Sequence, residues 1–181
     1  MLQTARLKLI PFDDAHFQAL FQSDMHLLGQ LLDVKTPKQW TTFADAEEAL
    51  PFFYESYQLN GSNWGSYFIT HRVDKMLLGT CGYKGSPDTE GVVEIGYEMH
   101  EDYRLQGLTT EAARALMNFA FADSNVEIVR AHTISFDDNP SVSVLKKLGF
   151  ELKGLFYDPD DGDIWRWEIM KLSSIESISR C

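Results

Sequence analysis

The chain has 181 residues, 44% of them hydrophobic and 13% aromatic, which is ample for the core of one domain, expected over residues 1–172 with a tail at 173–181. A net charge of −11 argues against a nucleic-acid binder, whose usual footprint is a basic patch. No apolar run nears the roughly 18 to 20 residues of a membrane helix. The opening "MLQTARLKLIPF" breaks its apolar residues with Arg6 and Lys8, unlike a signal peptide. Cys81 and Cys181 form neither a bridge framework nor a CxxC pair. A soluble cytoplasmic protein with no membrane partner is expected.

In chain order, "RLKLIPF" reads as a strand, and Asp13-Asp14 offer an N-cap for a helix to about Phe21. Residues 23–60 read as helices and loops, with Pro51 kinking or restarting the helix in "DAEEALPFFYESYQ". Strands follow in "WGSYFITHR", "MLLGTCGY" and "VVEIGYEM", with a turn at Val73-Asp74-Lys75. Beyond them, "YRLQGLTTEAARALMNFAF" carries Ala112, Ala113, Leu116, Phe119 and Ala120 at helical spacing. The strand "VEIVRAHTI", the short helix "PSVSVLKKLGF", and the strands "ELKGLFY" and "DIWRWEIMKL" complete the chain. This order predicts an α/β (mixed α+β) domain: one mixed sheet with helices packed on both faces.

The start of the 103–121 segment carries chemistry. Arg104, Gln106 and Gly107 precede an apolar helix whose start Thr109 or Thr110 can cap. The first N–H groups of a helix lack internal partners, and its dipole places partial positive charge there. A glycine admits close approach of a ligand, and Arg104 adds a full charge. Together they can cradle a diphosphate, although an ordinary strand-to-helix loop has the same outline. Neither GxxxxGK[ST] nor GxGxxG occurs, so nucleotide hydrolysis and a Rossmann unit have no support.

With "EIGY" upstream and "VLKKLGF" downstream, the chain resembles the GCN5-related N-acetyltransferases (GNAT), in the subgroup that acetylates ribosomal-protein N-termini. The match runs from "TARLKLIPFDDAHFQAL" through "DDNPSVSVLKKLGFELKG", almost the whole chain. It implies a mostly antiparallel sheet with a splayed central strand pair, and acetyl coenzyme A (acetyl-CoA) as co-substrate. It further implies an amine acceptor, such as a ribosomal-protein N-terminus, and a monomer or homodimer. The family's diphosphate loop [QR]xxGx[GA] corresponds to Arg104, Leu105, Gln106, Gly107, Leu108 and Thr109, with Thr110 next in the helix. Thr109 replaces the family's usual small residue.

By the same resemblance "VVEIGYEM" is the splayed strand, so Tyr97, Glu98 and Met99 should line the cofactor, with a backbone N–H there polarising the thioester carbonyl. The amine must lose a proton, and Glu94 stands where related enzymes carry a base. Glu94 and Glu98 also read as carboxylates on one exposed strand face, which period two would give them. For the leaving sulfur, the resemblance points to Asn139 and Ser141, two apart where the subgroup has three and Asp138 holds the three-apart place. Ser141 could bond the sulfur or cap the helix near Pro140.

The acceptor could instead be a polyamine, amino sugar or antibiotic, or the chain could bind acyl coenzyme A without turnover. Asp158, Asp160 and Asp163, in and around "DPDDGD", could draw a cationic amine. That turn is no calcium loop, lacking the glutamate at the twelfth position, and the five histidines show no HxxxH or HxH spacing, so no metal is expected.

Overall fold

Asp13 opens the first helix by a reciprocal cap. Its carboxylate accepts the His16 N–H at 3.0 Å, and its own N–H donates to His16 Nδ1 at 3.2 Å. The computed structural model describes residues 1–42, 46–136, 139–159 and 161–172, without the side chains of residues 46, 47 and 49. Along them lie β1 (Leu2–Gln3), β2 (Leu7–Pro11), α1 (Asp14–Phe21), α2 (Met25–Leu32), α3 (Ala46–Asn60), β3 (Ser66–His71) and β4 (Met76–Tyr83). Then come β5 (Val92–Tyr97), a single 3-10 turn (Glu101–Tyr103), α4 (Leu108–Ala122), β6 (Ile128–Ile134), α5 (Pro140–Leu148), β7 (Glu151–Asp158) and β8 (Gly162–Met170).

The order agrees with the sequence reading, with two differences. The short β1 was not foreseen, since two residues carry no periodicity. Helix α3 runs through Pro51 without restarting. A proline in the second turn removes one N–H donor, which the rest of the helix can tolerate.

Packing divides the chain into two compact units: Met1–Ser86 with Ile95–Leu116, and Pro87–Glu94 with the residues from Met117 onward. In the first unit β1, β2, β3, β4 and β5 pair antiparallel in that order. Its core sets Phe12, stacked on Phe68 at 3.8 Å between ring centroids, among Phe17, Leu28, Trp40 and Leu77. Each such side chain contributes about 1.5–3 kcal/mol of burial free energy. The buried Tyr83 hydroxyl donates to the Leu116 carbonyl at 2.6 Å and ties α4 to β4.

In the second unit β6 pairs with β5 in parallel and with β8 antiparallel, and β7 flanks β8. Helix α5 buries Val142, Leu145 and Leu148 on one face, and Lys146 and Lys147 complement its C-terminal dipole. Trp167 is buried, its indole N–H donating to Thr133 Oγ1 at 3.2 Å. Strand β5 changes partner along its length: residues 92–94 pair with 128–130 of β6, and 95–97 with 81–83 of β4. The strand pairs are mostly antiparallel, with β5 and β6 parallel.

Candidate active site

The loop before α4 belongs to the first unit. The 3-10 turn ends with the Arg104 N–H donating to the Glu101 carbonyl at 3.1 Å. Leu105 then takes a positive φ of 61° with its side chain fully exposed, and Gly107 follows at φ 75°. Two left-handed residues within three positions turn the chain sharply into the helix. Gly107 O accepts the Glu111 N–H at 3.0 Å, so helical bonding starts at the glycine. This corrects the expected threonine cap: α4 begins at Leu108, which places Thr109 and Thr110 inside its first turn. Leu108 is buried and anchors the turn.

A Cβ added at Gly107 would meet only Arg6 Nη2, at 3.7 Å. The space on that side is therefore open among the described residues, and glycine is favoured by its φ, since a left-handed L-residue costs about 1–2 kcal/mol. A left-handed turn in front of unpartnered helix N–H groups fits the diphosphate of acetyl-CoA.

Arg104 folds back: its Nε–H donates to the Met99 carbonyl at 2.9 Å, and Nη1 lies 3.8 Å from Glu101 Oε1. The loop is braced from the N-terminal segment instead. Arg6 Nε donates to Glu111 Oε2 at 2.7 Å, its Nη1 to the Gln106 carbonyl at 3.0 Å, and its backbone N–H to Glu111 Oε1 at 2.8 Å. The Thr4 hydroxyl donates to Glu111 Oε1 at 2.5 Å. Burial pushes the Glu111 carboxyl upward, but the Thr4 hydroxyl, the Arg6 N–H and the guanidinium together hold it below the ordinary carboxylate value.

Past β5 the chain keeps to β4: the Glu98 N–H donates to Thr80 O and the His100 N–H to Leu78 O, both at 2.8 Å. Antiparallel alternation therefore turns the backbone groups of Tyr97 and Met99 away from β4. The approach is close enough that a Cβ at Gly79, on β4, would stand 2.5 Å from the Glu98 carbonyl oxygen. Glu98 itself is not a solvated carboxylate. It is buried, accepting the Thr80 hydroxyl at 3.1 Å and both the N–H and the hydroxyl of Thr42. Its N–H and side chain are both engaged in holding β4 and the segment at Thr42.

In the second unit, Glu94 is the last β5 residue in register with β6. Its Oε1 lies 3.0 Å from His132 Nδ1, within ion-pair distance though short of hydrogen-bond alignment. The side chains are 20% and 16% exposed respectively, so Glu94 is largely shielded rather than solvated. Arg166 Nε donates to His132 Nε2 at 3.2 Å, and its guanidinium carbon lies 3.8 Å from the centre of the Phe156 ring.

At α5 the cap is Asn139, not Ser141. Asn139 Oδ1 accepts the Ser141 N–H at 3.0 Å, its Nδ2 donates to the Ile134 carbonyl at 3.0 Å, and Pro140 follows as a favoured first residue. Ser141 stands in the first turn with its N–H already satisfied. Asn139 thus acts through its cap, holding Ser141 in place. Asp138, Asp160, Cys181 and the 173–181 tail lie outside the described residues, and Asp158 Oδ1 accepts the Asp161 N–H at 3.1 Å.

The acetyltransferase (GNAT) domain is matched over residues 6–151, from the brace at Arg6 to the start of β7. The chain belongs to the GNAT acetyltransferase family. Relatives of similar length include the N-acetyltransferases YjdG and YnaD of Bacillus subtilis (strain 168). YjdG is 31% identical over 84% of this chain and 90% of its own. YnaD is 33% identical over 86% of this chain and 85% of its own. Among solved structures, RimL, a ribosomal L7/L12 alpha-N-protein acetyltransferase in complex with coenzyme A, superposes with a TM-score of 0.65 at 18% identity, covering 92% of this chain and 95% of its own. An acetyltransferase of Bacillus anthracis gives 0.64 at 18%, covering 94% and 98%. This GNAT protein is thus an acetyl-CoA-dependent N-acetyltransferase.

The brace and the His132–Arg166 pair were missed in the sequence. Arg6 reads there only as a charge interrupting an apolar run, 105 residues from Glu111. His132 lies 38 residues from Glu94, and only the parallel register of β5 and β6 brings them together.

Proposed function

We propose that the chain acetylates the N-terminal amine of a protein, a ribosomal protein being the leading acceptor, in the cytoplasm. The observation that carries the reading is the left-handed turn at Gly107, opening onto the start of α4 and braced by Arg6. Residues 104–110 hold the diphosphate through backbone N–H groups, with Arg104 adding charge. Acetyl-CoA supplies an acyl carbon activated by its thioester. A backbone N–H of Tyr97 or Met99, both turned away from β4, polarises the acyl carbonyl. Glu94 accepts the proton that the amine loses as its nitrogen bonds the acyl carbon. The carbon–sulfur bond breaks, and the Ser141 hydroxyl donates a hydrogen bond to the departing sulfur.

The fold likeness to RimL, a ribosomal L7/L12 alpha-N-protein acetyltransferase, supports the choice of acceptor. The deciding experiment is an acetylation screen over ribosomal-protein N-terminal peptides, polyamines, amino sugars and amine antibiotics. Preferential acetylation of a peptide N-terminus is expected. Faster turnover of a small amine would replace the acceptor class, and coenzyme A binding without acetylation of any amine would make the chain an acyl-CoA-binding module.

A further inference from the structure

We propose that His132 is a positioning residue for Glu94, and that Arg166 determines which nitrogen of its imidazole carries the proton. The inference rests on the reading of Glu94 as the base. In register, Glu94 stands opposite Arg130, Arg130 opposite Glu168, and His132 opposite Arg166. Paired residues share a face, so these side chains form one polar row across β5, β6 and β8.

The direction of each hydrogen bond decides the protonation. A guanidinium only donates, so the 3.2 Å contact from Arg166 Nε requires a lone pair on His132 Nε2. A neutral imidazole then carries its proton on Nδ1, the nitrogen 3.0 Å from Glu94 Oε1. An imidazolium would set an N–H against the N–H of Arg166, beside a permanent cation. Arg166 therefore fixes Nε2 as the accepting nitrogen, and the Phe156 ring beneath its guanidinium holds it in place.

The consequence falls on the base. One carboxylate oxygen of Glu94 faces a neutral N–H donor, which favours the charged form and sets the orientation of the carboxylate. His132 keeps its own proton throughout. The other charges that register places on this face are Arg130 and Glu168, paired at 2.8 Å, and Glu151 and Asp158 on β7. Glu151 is paired in turn with Lys153 at 2.8 Å. Arg166 is thus the cation in direct contact with the imidazole. At 3.0 Å the contact is within reach of a hydrogen bond, and catalytic hydrogen bonds often align only on substrate binding.

The test starts with nuclear magnetic resonance on the full chain. Nitrogen-15 shifts of His132 should report the Nδ1–H tautomer in the parent and a shift toward Nε2–H or a mixture in Arg166→Met. The carbon-13 carboxyl signal of Glu94 should titrate about one pH unit higher in His132→Phe. His132→Asn, whose amide can replace the Nδ1 donor, should restore part of that shift. With acetyl-CoA and a peptide bearing a free N-terminus, the acid limb of kcat/KM should move with the Glu94 titration, while KM for acetyl-CoA stays level.

An unchanged Glu94 titration in folded His132→Phe, or an Nε2–H tautomer in the parent, would overturn the proposal and leave Glu94 as the base. Full turnover in Glu94→Gln would overturn the base reading itself, whatever the tautomer shows.

Discussion

Replacing Arg6 by alanine tests whether the N-terminal segment contributes to cofactor binding. The substitution removes two side-chain hydrogen bonds, to Glu111 Oε2 at 2.7 Å and to the Gln106 carbonyl at 3.0 Å, and leaves the backbone N–H on Glu111. A charge-assisted bond and a neutral acceptor bond contribute about 2–4 kcal/mol when shielded. Arg6 is 45% exposed at its side chain, against 18% for Glu111, so solvent screening brings the expected loss to about 1–2 kcal/mol. If that free energy orders the loop, coenzyme A affinity should fall by about 5- to 30-fold. Calorimetry with coenzyme A measures it directly. Glu111→Gln separates the brace from direct phosphate contact, because it keeps the Arg6 cation and weakens only its anchor. Comparable losses in the two variants, with a double variant little worse than either, are expected of a shared brace. Unchanged affinity in Arg6→Ala despite a lowered Tm would refute the argument, making the contact a fold stabiliser alone. Arg6→Lys should recover little, since an ammonium cannot span both acceptors as a guanidinium does.

Gly107→Ala should cost about 1–2 kcal/mol of stability from its left-handed φ, while Gly107→Glu should abolish coenzyme A binding by placing a carboxylate beside the diphosphate; calorimetry on folded variants decides both. Glu98→Gln should lower thermal stability by about 1–3 kcal/mol, with coenzyme A affinity retained, because its buried oxygens serve Thr42 and Thr80. Glu111 titrates below its ordinary 4.5 in the folded chain, so its stabilisation is complete above that pH and is lost as pH falls through the lower folded value. Acid denaturation monitored by circular dichroism should therefore show a shallower decline below pH 4.5 in Glu111→Gln than in the parent.

The elements were legible where the signal is local. Strand β4 was read at its observed limits because "MLLGTCGY" is apolar and flanked by turns. Asp13 announced α1 through a cap completed three residues later. At Pro51 the chain does not restart the helix, because a packed helix can absorb the loss of one bond. The capping of α5 was one residue type away from right: both Asn139 and Ser141 are strong cap formers, and only the geometry selects the residue before Pro140.

The candidate site divides along the same line. Its loop is contiguous in the chain, so the glycine turn before the helix could be read directly, while the helix start was set too late, at the threonines. The pairings that set its chemistry join residues far apart, and no spacing rule reports them. Glu98 shows the difference most clearly. Period two predicts only the side of a strand, and a carboxylate on that side is either solvated or buried according to what crosses it. Here Thr42, 56 residues away, supplies the donors that make burial tolerable. Glu94 has the same residue type and a different solution: a largely shielded carboxylate set against an imidazole that accepts from a guanidinium. The contrast explains why two glutamates four residues apart receive different roles. Glu98 has its oxygens occupied by hydroxyl and backbone donors, which suits structural anchoring. Glu94 stands 3.0 Å from an imidazole nitrogen at one oxygen, which suits the base role proposed for it.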